Sequence, residues 1–176
     1  EKRVFSLTSR MCRNSADAEE AAQEAFLAAW QALPAFRGDA SFATWLYRLV
    51  SNACVDILRR EGRHQAMAGP SLDDEGSSPE PPDKSPSPHA LAERAELRRQ
   101  IEAGLAALPP EYRQVLILRE IHQCTYDEIA QICSIDLGTV KSRINRGRKR
   151  LRKILLESGN FSAAGASKKT EKEGCR

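Results

Sequence analysis

Eight cationic side chains fall within the sixteen residues GTVKSRINRGRKRLRK, from Gly138 to Lys153: Lys141, Arg143, Arg146, Arg148, Lys149, Arg150, Arg152 and Lys153. No carboxylate interrupts them, although the chain of 176 residues carries a formal charge of only +3. Such a cluster performs no covalent chemistry. It holds anions, and a row of phosphates above all. A different grouping, Glu19, Glu20 and Glu24 with His64 or His122, offers carboxylates and imidazole for acid–base or metal work. The sequence lacks HExxH, GxxxxGK[ST] and GxSxG, the spacings that would organise such groups. Five cysteines make an odd number without CxxC spacing, which argues against a disulfide framework or a zinc site. Cys54 and Cys133 are expected to be small buried apolar residues, in a reducing cytoplasm. Neither catalysis nor a metal nor a cofactor is expected.

The elements that must position the basic cluster are legible just upstream of it. In TYDEIAQICSIDLGTVKSRINRGRKRLRK, Thr125 and Glu128 have capping-box spacing and mark a helix start. Ile129, Ala130 and Cys133 form its expected inner face, and small Ala130 admits a close helix crossing. A tight turn falls at Ser134–Ile135. Asp136 can cap a second helix, which Val140 and Ile144 point inward. This is a helix-turn-helix pattern. Its second helix enters the major groove, with early residues on base edges. Lys141, Ser142, Asn145 and Arg146 lie opposite or beside the inward pair; Asn suits adenine, and Arg or Lys suits guanine. Arg148, Lys149, Arg150, Arg152 and Lys153 suit phosphates, which set register and make affinity salt-dependent.

Further upstream the reading is also helical. Leu91, Ala95, Ile101, Leu105 and Leu108 suggest one helix, Pro109–Pro110 breaks it, and Pro110 opens the next, with Val115, Leu118 and Ile121 on a face. In the N-terminal stretch, DAEEAAQEAFLAAWQAL places Ala22, Phe26, Trp30 and Leu33 on one apolar face, capped by Ser15 or Asp17 and ended by Pro34. PAFRGDASF is a loop turning at Gly38. FATWLYRLVSNACVDILRR resumes helical spacing through Phe42, Trp45, Leu46, Leu49, Ala53 and Ile57. Between the halves, residues 61–89 hold six of the nine prolines; such a segment buries too little apolar surface to offset its ordering entropy. The expectation is an all-α chain of two small helical domains, 1–61 and 90–158, joined by a flexible linker over 62–89 and followed by a disordered tail over 159–176. An aromatic content of 6% favours small helical units. No apolar run approaches the ~20 residues of a membrane span, and no signal peptide is legible, so membrane insertion is not expected.

With these residues in view, DAEEAAQEAFLAAW, FRGDASFATWLYRLVSNACVDILRR, LPPEYRQVLILRE and YDEIAQICSIDLGTVKSRINRGRKRLRK together resemble the extracytoplasmic-function (ECF) sigma factors of bacterial RNA polymerase, of the sigma-70 family. The resemblance implies a region 2-like N-terminal domain and a region 4-like C-terminal domain. It implies that Glu20, Gln23 and Glu24 dock on the β′ clamp helices of core polymerase, and that the β flap of core polymerase is a partner too. It implies that Phe36, Arg37, Gly38, Asp39, Ala40, Ser41 and Asn52 capture a flipped base of the −10 element. An unstacked base needs polar edges and a stacking wall; Phe36 or Phe42 could instead be core, and for Phe42, Trp30 and Trp45 the core is the expectation here. The resemblance also implies that Lys141, Ser142, Arg143, Asn145 and Arg146 read the −35 element, with Thr139 near phosphate. Control by an anti-sigma factor that hides both domains is implied too.

Two positions depart from the family pattern. Ser134 stands where the turn commonly has Gly, at a cost of ~1 kcal/mol if its φ is positive. Gly147 replaces a small helix former, again at ~1 kcal/mol. Glu1 to Cys12 matches the second half of the family's first region 2 helix. A two-domain repressor would explain the helix-turn-helix but not DAEEAAQEAF or FRGDASFATWLYR. An interaction-only adaptor leaves the basic helix unexplained.

Overall fold

The computed structural model describes residues 1–68 and 88–158. Among the described residues seven α-helices follow one another: α1 (Lys2–Met11), α2 (Ser15–Ala32), α3 (Phe42–Ala68), α4 (Pro88–Ala106), α5 (Pro110–Leu116), α6 (Tyr126–Cys133) and α7 (Leu137–Glu157). A short 3-10 turn, Leu33–Ala35, ends α2 at Pro34, and a π turn, Ile117–Ile121, continues α5. Among the described residues there is no strand, and no helix is long and apolar enough to cross a membrane. The linker expected at 62–89 lies mostly outside the described residues, and so does the tail from Gly159. α3 runs on to Ala68.

The N-terminal unit packs α1, α2 and α3 together. Asn14, not Ser15 or Asp17, caps α2, accepting from the Asp17 amide at 2.8 Å. The buried stripe of α2 is Ala18, Ala21, Ala22 and Ala25. Of the face expected from Ala22, Phe26, Trp30 and Leu33, only Ala22 is inside; Trp30 is 76% exposed. Alanine stripes let helices approach closely, and that approach turns the bulky residues outward. α3 is rotated as well. Thr44, Tyr47, Val50, Ser51, Cys54 and Ile57 are buried, while Phe42 is 52% exposed and Trp45, Leu46 and Leu49 are half-buried. Phe42 and Trp30 are therefore not core residues.

The C-terminal unit is built around Val115, Leu116, Ile117 and Leu118, consecutive residues that are all buried. α5, the π turn and the surrounding helices α4, α6 and α7 enclose them. Pro110 lies in the first turn of α5, as expected. Ile101 and Ile121 are exposed rather than inward. Gly147 of α7 is buried, and a Cβ there would come within 3.1 Å of Leu116 Cδ1. The glycine that costs helix propensity thus permits the close crossing of α5 and α7. The two units also meet: α1 and α3 pack against α4, the π turn and α6.

Candidate nucleic-acid interface

The helix-turn-helix forms as its local signals dictate. Thr125 Oγ1 accepts from the Glu128 amide at 3.2 Å, and Glu128 Oε2 accepts from the Thr125 amide at 2.7 Å, completing the capping box. That backbone donor, more than any other cause, holds the Glu128 carboxyl below the usual carboxylate range. Ile129 and Ile132 are buried, whereas Ala130 and Cys133 are half-buried. Ser134 then takes the left-handed conformation, φ 54 and ψ 46, so the turn does carry the positive φ that glycine would favour. Asp136 caps α7, accepting from the Thr139 amide at 2.8 Å and from the Thr139 hydroxyl. The two Thr139 donors, hydroxyl first, depress the Asp136 carboxyl.

Val140 and Ile144 face inward, which fixes what α7 presents to solvent. Lys141, Ser142, Asn145, Arg146 and Lys149 are exposed, and Thr139 and Arg143 are half-buried. Not all of them are equally available. The Ser142 hydroxyl donates to the Thr139 carbonyl at 3.0 Å. Arg148 donates from Nε at 2.9 Å and from an Nη at 2.6 Å to one oxygen of Glu120. Arg150 lies over the Tyr112 ring, 4.8 Å from its centroid.

On the N-terminal unit, the loop after α2 and the start of α3 form a pocket of about 550 Å³. Gly38, at φ 79, turns the loop. Phe36, Arg37, Gly38, Asp39, Ala40, Thr44, Trp45 and Arg48 line the pocket, and Gln131 and Ser134 of the C-terminal unit complete it. Phe36, Phe42 and Trp45 make an aromatic cluster, with Phe36 and Trp45 centroids 5.0 Å apart. Five of the residues expected here thus come together. Ser41 instead caps α3, accepting from the Thr44 amide at 3.1 Å. Asn52 is exposed, further along α3 and outside the lining. Trp45 and Arg48 were not foreseen as pocket residues. Their spacing of three with Phe42, opening a helix straight after the glycine turn, was the available signal.

Glu20, Gln23 and Glu24 are exposed on α2. One Arg60 nitrogen bridges both carboxylates, at 3.2 Å from Glu20 and 2.9 Å from Glu24. Phe26, Leu27, Trp30 and Leu33 extend this helix as an exposed apolar patch. His122 Nδ1 lies 3.2 Å from the Tyr47 hydroxyl, so this imidazole and the α2 carboxylates have different partners. Burial pushes the Cys124 thiol up to about 11 and Cys133 up to about 12, away from nucleophilic chemistry.

Residues 1–64 match the family model Sigma-70 region 2, and residues 98–151 match Sigma-70, region 4. The chain is 36% identical over 161 residues to the RNA polymerase sigma-H factor of Pseudomonas aeruginosa, covering 87% of this chain and 80% of that one. It is 36% identical over 153 residues to the ECF RNA polymerase sigma-E factor of Escherichia coli K12, covering 84% and 78%. Against the ECF RNA polymerase sigma factor SigE of Mycolicibacterium smegmatis it is 34% identical over 164 residues, but spans only 62% of that longer protein. Among solved structures, the sigma factor RpoE in complex with the anti-sigma factor NepR from Bartonella quintana matches in fold, with TM-score 0.71, 21% identity and coverage of 88% and 91%. CnrH in complex with the cytosolic domain of CnrY matches with TM-score 0.61, 24% identity and coverage of 91% and 84%.

Proposed function

The chain belongs to the ECF sigma factors of the sigma-70 family, transcription initiation factors that direct RNA polymerase to promoters, and we propose that its two units divide that task between the −10 and −35 elements. The observation that carries this reading is the pairing of an aromatic pocket on one unit with a basic helix-turn-helix on the other. A duplex-binding repressor needs only the second.

In this reading, residues 1–61 hold the −10 element. A base flipped from the melting strand stacks against Phe36 and Trp45, while Arg37 and Arg48 hold the backbone and Asp39 meets a base edge. Residues 90–158 read the −35 element through Lys141, Asn145 and Arg146, with Lys149 on phosphate. Glu20, Gln23 and Glu24 join the apolar patch of Phe26, Leu27 and Trp30 to dock on the β′ clamp helices of core polymerase, and the C-terminal unit meets the β flap. Each contact alone is weak. Joined on one enzyme, the second becomes intramolecular and gains from effective concentration. The chain itself does no chemistry, since phosphodiester synthesis belongs to the polymerase, and it acts in the bacterial cytoplasm. The solved relatives with anti-sigma partners support control of this chain by an anti-sigma factor. Size-exclusion chromatography with core polymerase tests the docking: the chain should co-elute with the enzyme, and separate elution would contradict it.

A further inference from the structure

We infer that the pocket lined by both units binds a diffusible ligand, a purine nucleoside monophosphate, with its base on the Phe36 and Trp45 rings and its phosphate on Arg37 and Arg48. The inference rests on the functional reading above for the stacking role of the rings, and it adds a second ligand to that site.

Unspent charge sets this pocket apart. Elsewhere on the N-terminal unit, Arg10 is held by Ser6 and Glu102, Arg59 by Asp56, and Arg60 by Glu20 and Glu24. Arg37, Asp39 and Arg48 all line the pocket and are exposed. Among the described residues these three make no ion pair and no side-chain hydrogen bond. Two guanidiniums against one carboxylate leave an excess of positive charge, which favours an anion. Their planar forks match phosphate oxygens better than a point charge does.

The rings and the acid narrow the rest of the ligand. Phe36 and Trp45 are half-buried pocket residues with interplanar angle 45°. They form one bent wall, and a base stacks on it from the open side. A purine covers more of that wall than a pyrimidine. The Asp39 carboxylate only accepts hydrogen bonds, so the base must donate. Adenine and guanine do so through their amino groups. Uracil has a single N–H between two carbonyl oxygens, which a carboxylate repels. Gln131 and Ser134 bring an amide and a hydroxyl from the C-terminal unit, and among the described residues these side chains also make no hydrogen bond. The promoter strand, in the reading above, uses the N-terminal unit alone, whereas a free nucleotide meets both units. The cavity of about 550 Å³ lies within the ~300–1,000 Å³ of small-molecule sites.

Isothermal titration calorimetry on the full chain tests this, with GMP and AMP as probes. At least one should bind saturably with Kd below about 1 mM. UMP, inorganic phosphate and the two nucleosides without phosphate should each bind about ten-fold weaker or more. Arg37→Ala and Arg48→Ala should each raise Kd about ten-fold, the loss of a charged hydrogen bond, and Gln131→Ala about five-fold, the loss of a neutral one. All three side chains are exposed, so each variant should keep the helical circular dichroism of the parent. No saturable binding of either GMP or AMP overturns the inference. Inorganic phosphate or UMP binding as tightly as the purine nucleotides overturns the base assignment. Unchanged affinity in Gln131→Ala overturns the part given to the C-terminal unit. Promoter-dependent transcription, read in parallel, separates the two readings. Transcripts without nucleotide binding refute this inference and leave the promoter reading standing. Nucleotide binding without transcripts refutes the promoter reading and leaves the pocket its ligand.

Discussion

Thr44 on α3 and Glu128 on α6 share a hydrogen bond, 3.3 Å long, across 84 residues of sequence. Glu128 spends its other oxygen on the capping box of α6. One carboxylate therefore closes the start of the helix-turn-helix and seats it beside the aromatic-lined pocket of the N-terminal unit. Its depressed pKa means that this contribution is present above the ordinary carboxylate range and is lost as pH falls through the lower, folded value.

A second titratable group, His122, lies at the same interface. His122 is half-buried, its Nε2 has no partner, and burial first, then Arg10 and Arg3, lowers its pKa. The folded chain thus binds fewer protons at this site than the unfolded chain. The stability it contributes should be full above about pH 6.5, the free histidine value, and should be lost as pH falls below it. Urea denaturation should show the chain less stable at pH 5.5 than at pH 7.5, and His122→Asn should shrink that difference. Tyr47→Phe, which removes the His122 partner, should destabilise the chain by about 1 kcal/mol at neutral pH.

Trp30 contacts solvent, so its removal should not unfold the chain. Trp30→Ala should leave the thermal midpoint nearly unchanged yet weaken binding to core polymerase ten-fold or more, as truncation of a central aromatic anchor does. Melting curves and a core-binding titration check both halves.

Arg146 and Arg148 lie on the same helix but differ in freedom. Arg146→Ala should lower −35-dependent transcription about ten-fold or more, the ~1–3 kcal/mol of a base contact, without loss of core binding. Arg148 is held by Glu120, so Arg148→Ala should cost less. Transcription from a −35-dependent promoter, read beside core co-elution, separates the two.

The turn and the crossing offer stability tests of opposite sign. Ser134→Gly relieves the left-handed backbone and should stabilise the chain by about 1 kcal/mol. Gly147→Val forces a branched side chain against Leu116 and Tyr112 and should destabilise it by about 2 kcal/mol. Urea denaturation measures each.

The helix-turn-helix was legible because its signals are local. Thr125 and Glu128 lie three apart, Asp136 caps the next helix three residues before Thr139, and each cap formed as the spacing requires. The faces of α2 and α3 were less legible. Hydrophobic size points Phe26 and Trp30 inward, but the smaller alanines win the close contact. α3 takes its rotation from partners that no local pattern announces, including His122, 75 residues beyond Tyr47. The same distance hid Gln131 and Ser134 from the pocket. Gly147 looked like a propensity fault and is a packing requirement.

The central claim is that this chain selects promoters for RNA polymerase. Run-off transcription on fragmented DNA from the source bacterium, using core polymerase with and without the chain, tests it most directly. The account predicts discrete transcripts that require the chain and share upstream sequences at −35 and −10. An unchanged transcript pattern, with tight binding of duplex DNA by the chain alone, would contradict it and favour a repressor.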